Sequence, residues 1–248
     1  GIVNAGKNTL ALCAWAGLVL VGSTPAAQSF RVPKVDAALQ KKTDAVFADL
    51  AKLGLPGCSV AVVSAGKVLY AKGYGMANLE HGIPNQPQTV FDIGSTSKQF
   101  TAACVVLLQQ DGKLSLDDDI RKWLPEIPDY GKVITLRHML HHQSGIRDYL
   151  GLMELGGRSV ANDWPEAWVL SLIARQKALD FLPGEKFSYS NSNYFLMSLV
   201  VKRAAGMSMR AFAQERIFAP LKMDNTRFLD DWQDIVPRRA TGSTPTEK

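Results

Sequence analysis

Cysteine and histidine are scarce in this sequence, with three Cys and four His among 248 residues. Cys58 lies in a strand-like apolar run and Cys104 in a helix-like one, while Cys13 belongs to an apolar segment near the start. We expect Cys58 and Cys104 to be free buried thiols, since cysteine is among the most buried residue types. A disulfide between them is the alternative in an oxidising compartment. The spacing of Cys and His is not typical of a zinc site, because the adjacent His141 and His142 would diverge on a helix.

Blocks of a single charge and low-complexity stretches are also absent. Lys and Arg exceed Asp and Glu by 28 to 23, a formal net charge of +5, but the basic residues are scattered. Tails that bind nucleic acid usually contain at least five or six like charges in a row. We therefore expect no nucleic-acid partner. The composition, 46% hydrophobic and 21% charged, excludes a disordered chain, a collagen and a coiled coil.

No apolar run in the sequence is long enough to span a bilayer. The longest, from Leu10 to Val21, has about 12 residues, whereas a transmembrane helix needs about 20. Lys7 precedes this run and small residues follow it at 22–27, as in a secretory signal peptide. A core helix or a membrane anchor is the alternative. We predict a signal peptide over residues 1–27, a single domain over 28–248, and a secreted or periplasmic protein without a stable membrane span once the signal is removed.

Hydrophobic periodicity predicts an amphipathic helix, a hairpin and then a mostly helical half. The first helix is expected over about 34–53, ending at Gly54. The hairpin pairs residues 58–64 with 68–74 through a turn at 65–67. Later helices are expected over 100–110, 165–176, 193–205 and 209–218. Because an isolated two-stranded hairpin is marginally stable, it needs further strands as partners.

Two Ser-x-x-Lys pairs occur, and only their positions distinguish them. A serine becomes a good nucleophile when a nearby base takes its proton, and a lysine can be that base when its surroundings lower its pKa. Helix geometry favours such a pair, since residues three apart share a face and the helix N-terminus stabilises an alkoxide. Ser64 and Lys67 fall in the hairpin turn, whereas Ser95 and Lys98 precede the apolar helix. We take Ser95 as the candidate nucleophile and Lys98 as its activating partner. The alternative is that Ser95 is a helix N-cap.

A single Tyr-x-Asn, at 189–191, supplies a candidate for proton transfer. Alternate side chains of an extended segment point the same way, so Tyr189 and Asn191 can face one site. Tyr189 would relay protons between the serine and the leaving group, and Asn191 would donate a hydrogen bond to a substrate carbonyl. The surrounding stretch, 187–194 (FSYSNSNY), is unusually polar. Its alternative interpretation is an ordinary cluster of N-cap and turn residues.

Residues 95–102 (STSKQFTA) and 112–118 (GKLSLDD) resemble the serine β-lactamase and penicillin-binding-protein superfamily, which Ser-x-x-Lys marks. More narrowly, they resemble its class C β-lactamase, D,D-peptidase and esterase branch. Further segments at 134–146, 187–194 and 215–223 are similar to that branch in the same order, so the resemblance covers about residues 35–242. It implies an α+β fold, an antiparallel sheet with flanking helices plus a helical half.

The resemblance also implies the roles of individual residues. Ser95 is implied as the acylated nucleophile, Lys98 as its activating partner and Tyr189 as the general base and acid. Asn191 is implied as a substrate contact. Neither a metal nor an organic cofactor is implied.

His142 resembles a residue that shapes the wall of the site in this superfamily, and we do not assign it a catalytic role. The mechanistic rival is a Ser-His-Asp triad. Asp148 is the nearest acid in sequence, but only six positions separate it from His142. The sequence alone therefore does not pair them.

One expected motif is missing after Asn191. The superfamily's third motif is Lys or His, then Thr or Ser, then Gly, on a strand that lines the site. Residues 239–242 (RATG) end in Thr-Gly but have Ala in place of the cation, and they resemble a segment that precedes that strand. We therefore expect a truncated form that lacks the remaining strands and one of two oxyanion N–H donors. Loss of one such donor costs about 10²- to 10³-fold in rate, which we expect to impair catalysis.

These features predict a serine hydrolase that forms an acyl-enzyme at Ser95 and releases it to water. Its substrate would be a small molecule or a peptide, namely a β-lactam, a D-Ala-D-Ala-type peptide or a small ester. The alternative is a binding, scaffold or penicillin-sensor-like protein that keeps the fold without turnover. The residues identified do not choose among the substrates, because these enzymes share one catalytic core.

Overall fold

The computed structural model describes residues 36–50, 54–160, 162–231 and 233–243. The predicted signal peptide, residues 1–27, lies outside this part of the chain. Within the described ranges, no helix combines the length and the hydropathy needed to cross a membrane.

The structure consists of two small antiparallel sheets followed by a helical half. The elements in chain order are α1 (Ala37–Val46), β1 (Cys58–Ser64), β2 (Lys67–Tyr74), β3 (Met76–Asn78), β4 (Ile83–Pro84), α2 (Lys98–Gln110), α3 (Ile120–Trp123), α4 (Leu136–Leu140), α5 (Tyr149–Leu155), α6 (Glu166–Ala174), α7 (Asn191–Ala205) and α8 (Met209–Ala213). A 3₁₀ helix, Gly94–Ser97, leads into α2, and a π-helical turn, Gln214–Phe218, continues α8. The predicted later helices are confirmed, with ends within about two residues of expectation.

Strands β1 and β2 form the predicted hairpin. Cys58 pairs with Tyr74 at one end and Ser64 with Lys67 at the other. Ala65 and Gly66 make the turn, both with positive φ (48° and 70°), as a tight turn matching the strand twist requires. The Ser-x-x-Lys pair at 64–67 therefore belongs to a hairpin turn, as predicted. Strands β3 and β4 form the second sheet.

Helix α1 ends earlier than predicted. It stops at Val46 rather than near residue 53, and residues 47–50 form turns. Phe47 leaves the helix with φ −104°, and its ring stacks on Tyr74 at a centroid distance of 5.1 Å. The ring contact of Phe47 with the hairpin coincides with the end of the helix. Residues 34–35 and 51–53 of the predicted helix lie outside the described part of the chain.

Hydrogen bonds of one carboxylate, Asp44, join α1 to strand β2 of the hairpin. Asp44 Oδ1 accepts hydrogen bonds from the Tyr70 hydroxyl (2.9 Å), the Tyr74 hydroxyl (2.7 Å) and Lys72 Nζ (2.8 Å). The two tyrosine hydroxyls also lie 2.5 Å apart. Both rings are buried, and the carboxylate accepts the hydroxyl proton that the two tyrosines cannot satisfy between themselves.

Helices α2 and α7 pack together at the centre of the hydrophobic core. Their fully buried members are Cys104, Val105, Leu108, Leu196, Met197, Val200 and Val201. Burying a side chain of this size contributes about 1.5–3 kcal/mol, so these apolar contacts stabilise the pairing of the two helices strongly. The alignment brings their N-termini together, which places both sequence motifs at one end of the helical half.

The two described cysteines are free. Cys104 is completely buried in α2, and burial raises the pKa of its thiol to about 11. Cys58 in β1 is only partly buried. The predicted free thiols are therefore confirmed, the predicted burial holds for Cys104, and the disulfide alternative is wrong.

Candidate active site

Ser95 lies on the 3₁₀ helix that leads into α2, before the apolar helix as predicted. Gly94 begins this turn with φ 51°, a conformation that glycine adopts without steric cost. Asp92 Oδ1 accepts a hydrogen bond from Gly94 N at 2.9 Å, and Ser97 Oγ donates to Gly94 O at 2.7 Å. Ile93 and Ser97 occupy the N-cap positions of the 3₁₀ helix and of α2. The alternative that Ser95 is an N-cap is therefore wrong.

Lys98 connects the two motifs. Its Nζ donates to Ser95 Oγ at 2.8 Å and to Asn191 Oδ1 at 3.0 Å. The same ammonium lies 5.1 Å from the ring centroid of Tyr189 and 5.7 Å from that of Tyr194, within cation–π range. Sequence reasoning selected all of these residues except Tyr194, whose place in the polar stretch carried no signal of its own.

Tyr189 completes the contact with the serine. Its hydroxyl donates to Ser95 Oγ at 2.8 Å. Burial acts to raise the pKa of Tyr189, but polar contact with Lys98 and Ser95 and the charge of Lys98 outweigh burial, so the pKa lies below its usual 10.0. A phenol with a lowered pKa is a more effective proton acceptor near neutral pH. The structure thus brings Ser95, Lys98, Tyr189 and Asn191 into one hydrogen-bonded group.

Asn191 is the first residue of α7, and Asp148 holds its backbone. Asn191 N donates to Asp148 Oδ1 at 2.5 Å, and Gly151 N donates to Asp148 Oδ2 at 3.3 Å. The carboxylate therefore caps α5 and at the same time joins it to the start of α7. The side-chain oxygen of Asn191 accepts from Lys98, so the side-chain nitrogen Nδ2 can donate to a substrate. This role of Asp148 was not predicted from the sequence.

The geometry does not form a Ser-His-Asp triad. His142 Nδ1 accepts a hydrogen bond from Ser190 N at 3.2 Å, while the Asp148 carboxylate bonds to backbone N–H groups. The His142 ring lies 4.5 Å from the Tyr189 ring, on the wall of the site. The rival mechanism is therefore wrong for these residues.

Buried polar side chains explain why the stretch 187–194 is so polar. Ser144 Oγ donates to Asn193 Oδ1 at 2.5 Å, and Ser192 Oγ donates to Arg147 O at 2.6 Å. Tyr149 N donates in turn to Ser192 Oγ at 2.9 Å. These bonds bind the loop after α4 to the first turn of α7. The alternative of N-cap and turn residues holds for Ser190, which is the N-cap of α7, whereas Ser192 and Asn193 make contacts between segments.

Residues 239–242 pair with the small sheet. Ala240 N donates to Val90 O and Thr241 N to Ala77 O, both at 2.8 Å. Asn78 Nδ2 donates to Thr241 Oγ1 at 3.0 Å. The segment therefore lies beside β3 and residue 90, and its resemblance to a segment before the third motif stays a prediction.

A family model that matches most of the chain identifies the family of this protein. Residues 42–248 match the family model described as Beta-lactamase. The chain belongs to the beta-lactamase family, and the resemblance seen in its motifs is confirmed. At the level of the family, these are serine hydrolases that act on amide or ester bonds.

Particular relatives agree with this assignment. The chain is 35% identical over 180 residues to a D-aminopeptidase from Gluconobacter oxydans, an alignment covering 73% of this chain and 34% of that protein. It is similar in structure to the octameric penicillin-binding protein homologue from Pyrococcus abyssi (TM-score 0.65, 30% identity, 83% of this chain and 47% of that one). It is also similar to the D-amino acid amidase from Ochrobactrum anthropi SV3 (TM-score 0.67, 27% identity, 83% and 56%).

These comparisons confirm the predicted α+β fold class. They also show that the chain spans about a third to just over a half of the length of these relatives.

Proposed function

We propose that this protein is a serine hydrolase that acylates Ser95 and hydrolyses the acyl-enzyme, acting on an amide or ester bond of a peptide or small molecule. The observation that carries the proposal is that Ser95 Oγ is bonded at once by Lys98 Nζ and by the Tyr189 hydroxyl, each at 2.8 Å. Neither a metal nor an organic cofactor takes part in the chemistry proposed.

The proposed acylation needs one proton to move twice. Ser95 Oγ forms a bond to the carbonyl carbon while its proton passes to the oxygen of ionised Tyr189, which the charge of Lys98 stabilises. The tetrahedral adduct then breaks the bond to the leaving nitrogen or oxygen, which takes the proton from Tyr189. Deacylation reverses the roles: water gives a proton to Tyr189 and attacks the ester, and Ser95 recovers a proton as it leaves.

Amides of D-amino acids are the first substrates to test, together with a penicillin and a p-nitrophenyl ester. Two relatives support this choice by name, the D-aminopeptidase and the D-amino acid amidase. All three substrate types contain a carbonyl oxygen, an acceptor to which Asn191 Nδ2 would donate. Specificity among them depends on contacts that differ between substrates more than on the shared serine.

The test is acyl-enzyme formation measured by intact-protein mass spectrometry, with steady-state turnover measured in parallel. Ser95→Ala should lose the added acyl mass and the turnover. Ser64→Ala is the matched control, because it removes the serine of the other Ser-x-x-Lys pair, and it should behave as wild type. Equal acylation of the Ser95→Ala variant would overturn the proposal.

A second candidate is a binding or sensor-like protein that is acylated without turnover. Its supporting observation is the similarity to the penicillin-binding protein homologue from Pyrococcus abyssi, whose name denotes binding rather than turnover. The same experiment separates the two candidates. A stable acyl adduct with no release over hours would support the second, and repeated turnover would support the first.

We also propose that the protein is secreted or periplasmic, on the signal-like pattern of residues 1–27. Fusion of residues 1–27 to a phosphatase that is active only after export tests this. Export is the expected result, and retention of an inactive fusion would contradict it.

A further inference from the structure

The backbone N–H groups on both sides of Tyr189 donate hydrogen bonds to one residue of another segment, His142. Ser188 N donates to the backbone oxygen of His142 at 2.9 Å, and Ser190 N donates to His142 Nδ1 at 3.2 Å. Tyr189 itself is 47% exposed, whereas His142 is only 8% exposed. The Tyr189 side chain is thus not enclosed by the core, and the position of its backbone depends on the buried His142.

The His142 ring also fixes the direction of the phenol. It lies against the Tyr189 ring at a centroid distance of 4.5 Å and an angle of 33°. Tyr194 packs on the same imidazole at 5.2 Å, and Phe187 meets it edge-on at 5.9 Å. Contacts of this kind favour one orientation of each ring. Rotation of Tyr189 away from Ser95 would give up the closest of them.

The backbone and the protonation state of His142 suit this role. Its φ of 54° is uncommon for a residue with a side chain, though His and Asn adopt it more readily than most. Nδ1 accepts from Ser190 N and faces Asn193 Nδ2 at 3.3 Å, which assigns the proton of the neutral ring to Nε2. Burial, and then the charge of Lys98, lower the pKa of His142, which keeps the acceptor nitrogen free.

We propose that His142 is a positioning residue for Tyr189: it holds the tyrosine so that its hydroxyl reaches Ser95 Oγ, and it exchanges no proton with substrate. The catalytic consequence rests on the proposed function. The positioning itself is a property of the resting protein, and it can be measured without any substrate.

Three variants separate the two kinds of contact. His142→Asn tolerates the positive φ and keeps an acceptor near Nδ1 but removes the ring. His142→Phe keeps a ring and removes the acceptor, and His142→Ala removes both. His141→Asn and His141→Ala are the matched controls, because the neighbouring His141 is exposed. Thermal melting establishes that each variant is folded at the assay temperature.

The first readout is the titration of Tyr189 in protein labelled with ¹³C at the ζ carbon of tyrosine. The chain has six tyrosines, and the Tyr189 signal is the one lost in Tyr189→Phe. In wild type it should titrate below the ordinary value of about 10. In His142→Ala the midpoint should rise, because the phenol leaves Lys98; the Asn and Phe variants should rise less, and the His141 variants should match wild type. An unchanged midpoint in folded His142→Ala or His142→Asn would overturn the proposal.

The second readout is kinetic. A displacement of about 1 Å in a reacting group costs about 10²-fold in rate, so acylation in His142→Ala should slow about a hundredfold with KM little changed. Partial recovery is expected in His142→Asn and His142→Phe. If wild type is not acylated at Ser95, the proposed function fails, while the titration still decides whether His142 positions Tyr189. Equal kinetic loss in His141→Ala would contradict a specific role for His142.

Discussion

Lys98 and Asn191 are the first residues of two different helices, and a hydrogen bond of 3.0 Å joins the lysine nitrogen to the asparagine oxygen. Lys98 belongs to the Ser-x-x-Lys motif and Asn191 to the Tyr-x-Asn motif. The bond forms because the cores of α2 and α7 pack together, which brings these N-termini into contact. The site is therefore assembled by the packing of the helical half.

Replacing Asn191 tests this link. Asn191→Ala removes the second acceptor of the Lys98 ammonium and the amide offered to substrate. Hydrogen bonds to charged groups contribute about 1.5–3 kcal/mol, so acylation should slow by about 10- to 100-fold. Stopped-flow acylation by a fluorescent penicillin measures the change. Asn78→Ala, in β3, provides a control that should leave the rate unaltered, and an unaltered rate in Asn191→Ala would contradict the role given to this residue.

Replacing Lys98 should alter both the serine and the tyrosine. Lys98→Met keeps most of the side-chain volume and removes the charge that lowers the pKa of Tyr189. We expect acylation to be lost and the Tyr189 titration to move to higher pH, as followed by the tyrosine carbon signal. Lys67→Met is the corresponding change in the hairpin turn and should have neither effect. A Tyr189 midpoint that stays in place in Lys98→Met would show that the lysine does not act on the phenol.

Replacing Asp148 distinguishes a structural role of this residue from a catalytic role in a Ser-His-Asp triad. Asp148→Ala removes the cap of α5 and the acceptor of Asn191 N, and loss of such a cap costs about 0.5–2 kcal/mol. The free energy of unfolding from urea titration should fall by at least that amount. Asp148→Asn retains an acceptor oxygen and should keep most of the activity, whereas the same change in a triad lowers kcat by about 10⁴-fold. A loss of that size in a stably folded Asp148→Asn would contradict the structural role and support the triad mechanism.

Acid stability should depend on Asp44. Hydrogen bonds from Lys72, Tyr74 and Tyr70 lower its pKa from 3.8 to about 2. Because the folded-state pKa is below the unfolded one, this stabilisation is complete above about pH 4 and is lost as the pH falls towards 2. The difference in urea midpoint between wild type and Asp44→Asn should therefore shrink over that interval. Asp224→Asn, at an exposed position, is the control and should follow wild type at every pH. A constant difference between Asp44→Asn and wild type would contradict the account.

The hairpin, the main helices and the four site residues were predictable because their signals are local. Ala65 and Gly66 mark a turn between two β-rich runs, and the positions of Ser95 and Tyr189 follow from motifs three or four residues long. Position within the chain was enough to place Ser64 beside a hairpin turn and Ser95 at the start of a helix, while the catalytic role of Ser95 stays a prediction.

The remaining features depend on contacts between distant residues. Helix α1 ends where Phe47 meets Tyr74, and Asp148 holds Asn191, 43 positions away. His142 supports residues 188–190 through bonds that span more than 40 positions. Periodicity and motif spacing carry no information on such pairs, which exist only after the core has formed.

The most direct test of the central claim is to map where a fluorophosphonate, which labels activated serines, reacts with the protein. Digestion and peptide mass spectrometry should locate the label on Ser95, with none on Ser64. The rate of labelling should fall at least tenfold in Lys98→Met and in Tyr189→Phe, since general acid–base assistance is worth about 10²–10⁴-fold. Labelling of Ser95 at an equal rate in both variants, or no labelling of Ser95 at all, would contradict the claim that this lysine and this tyrosine activate the serine.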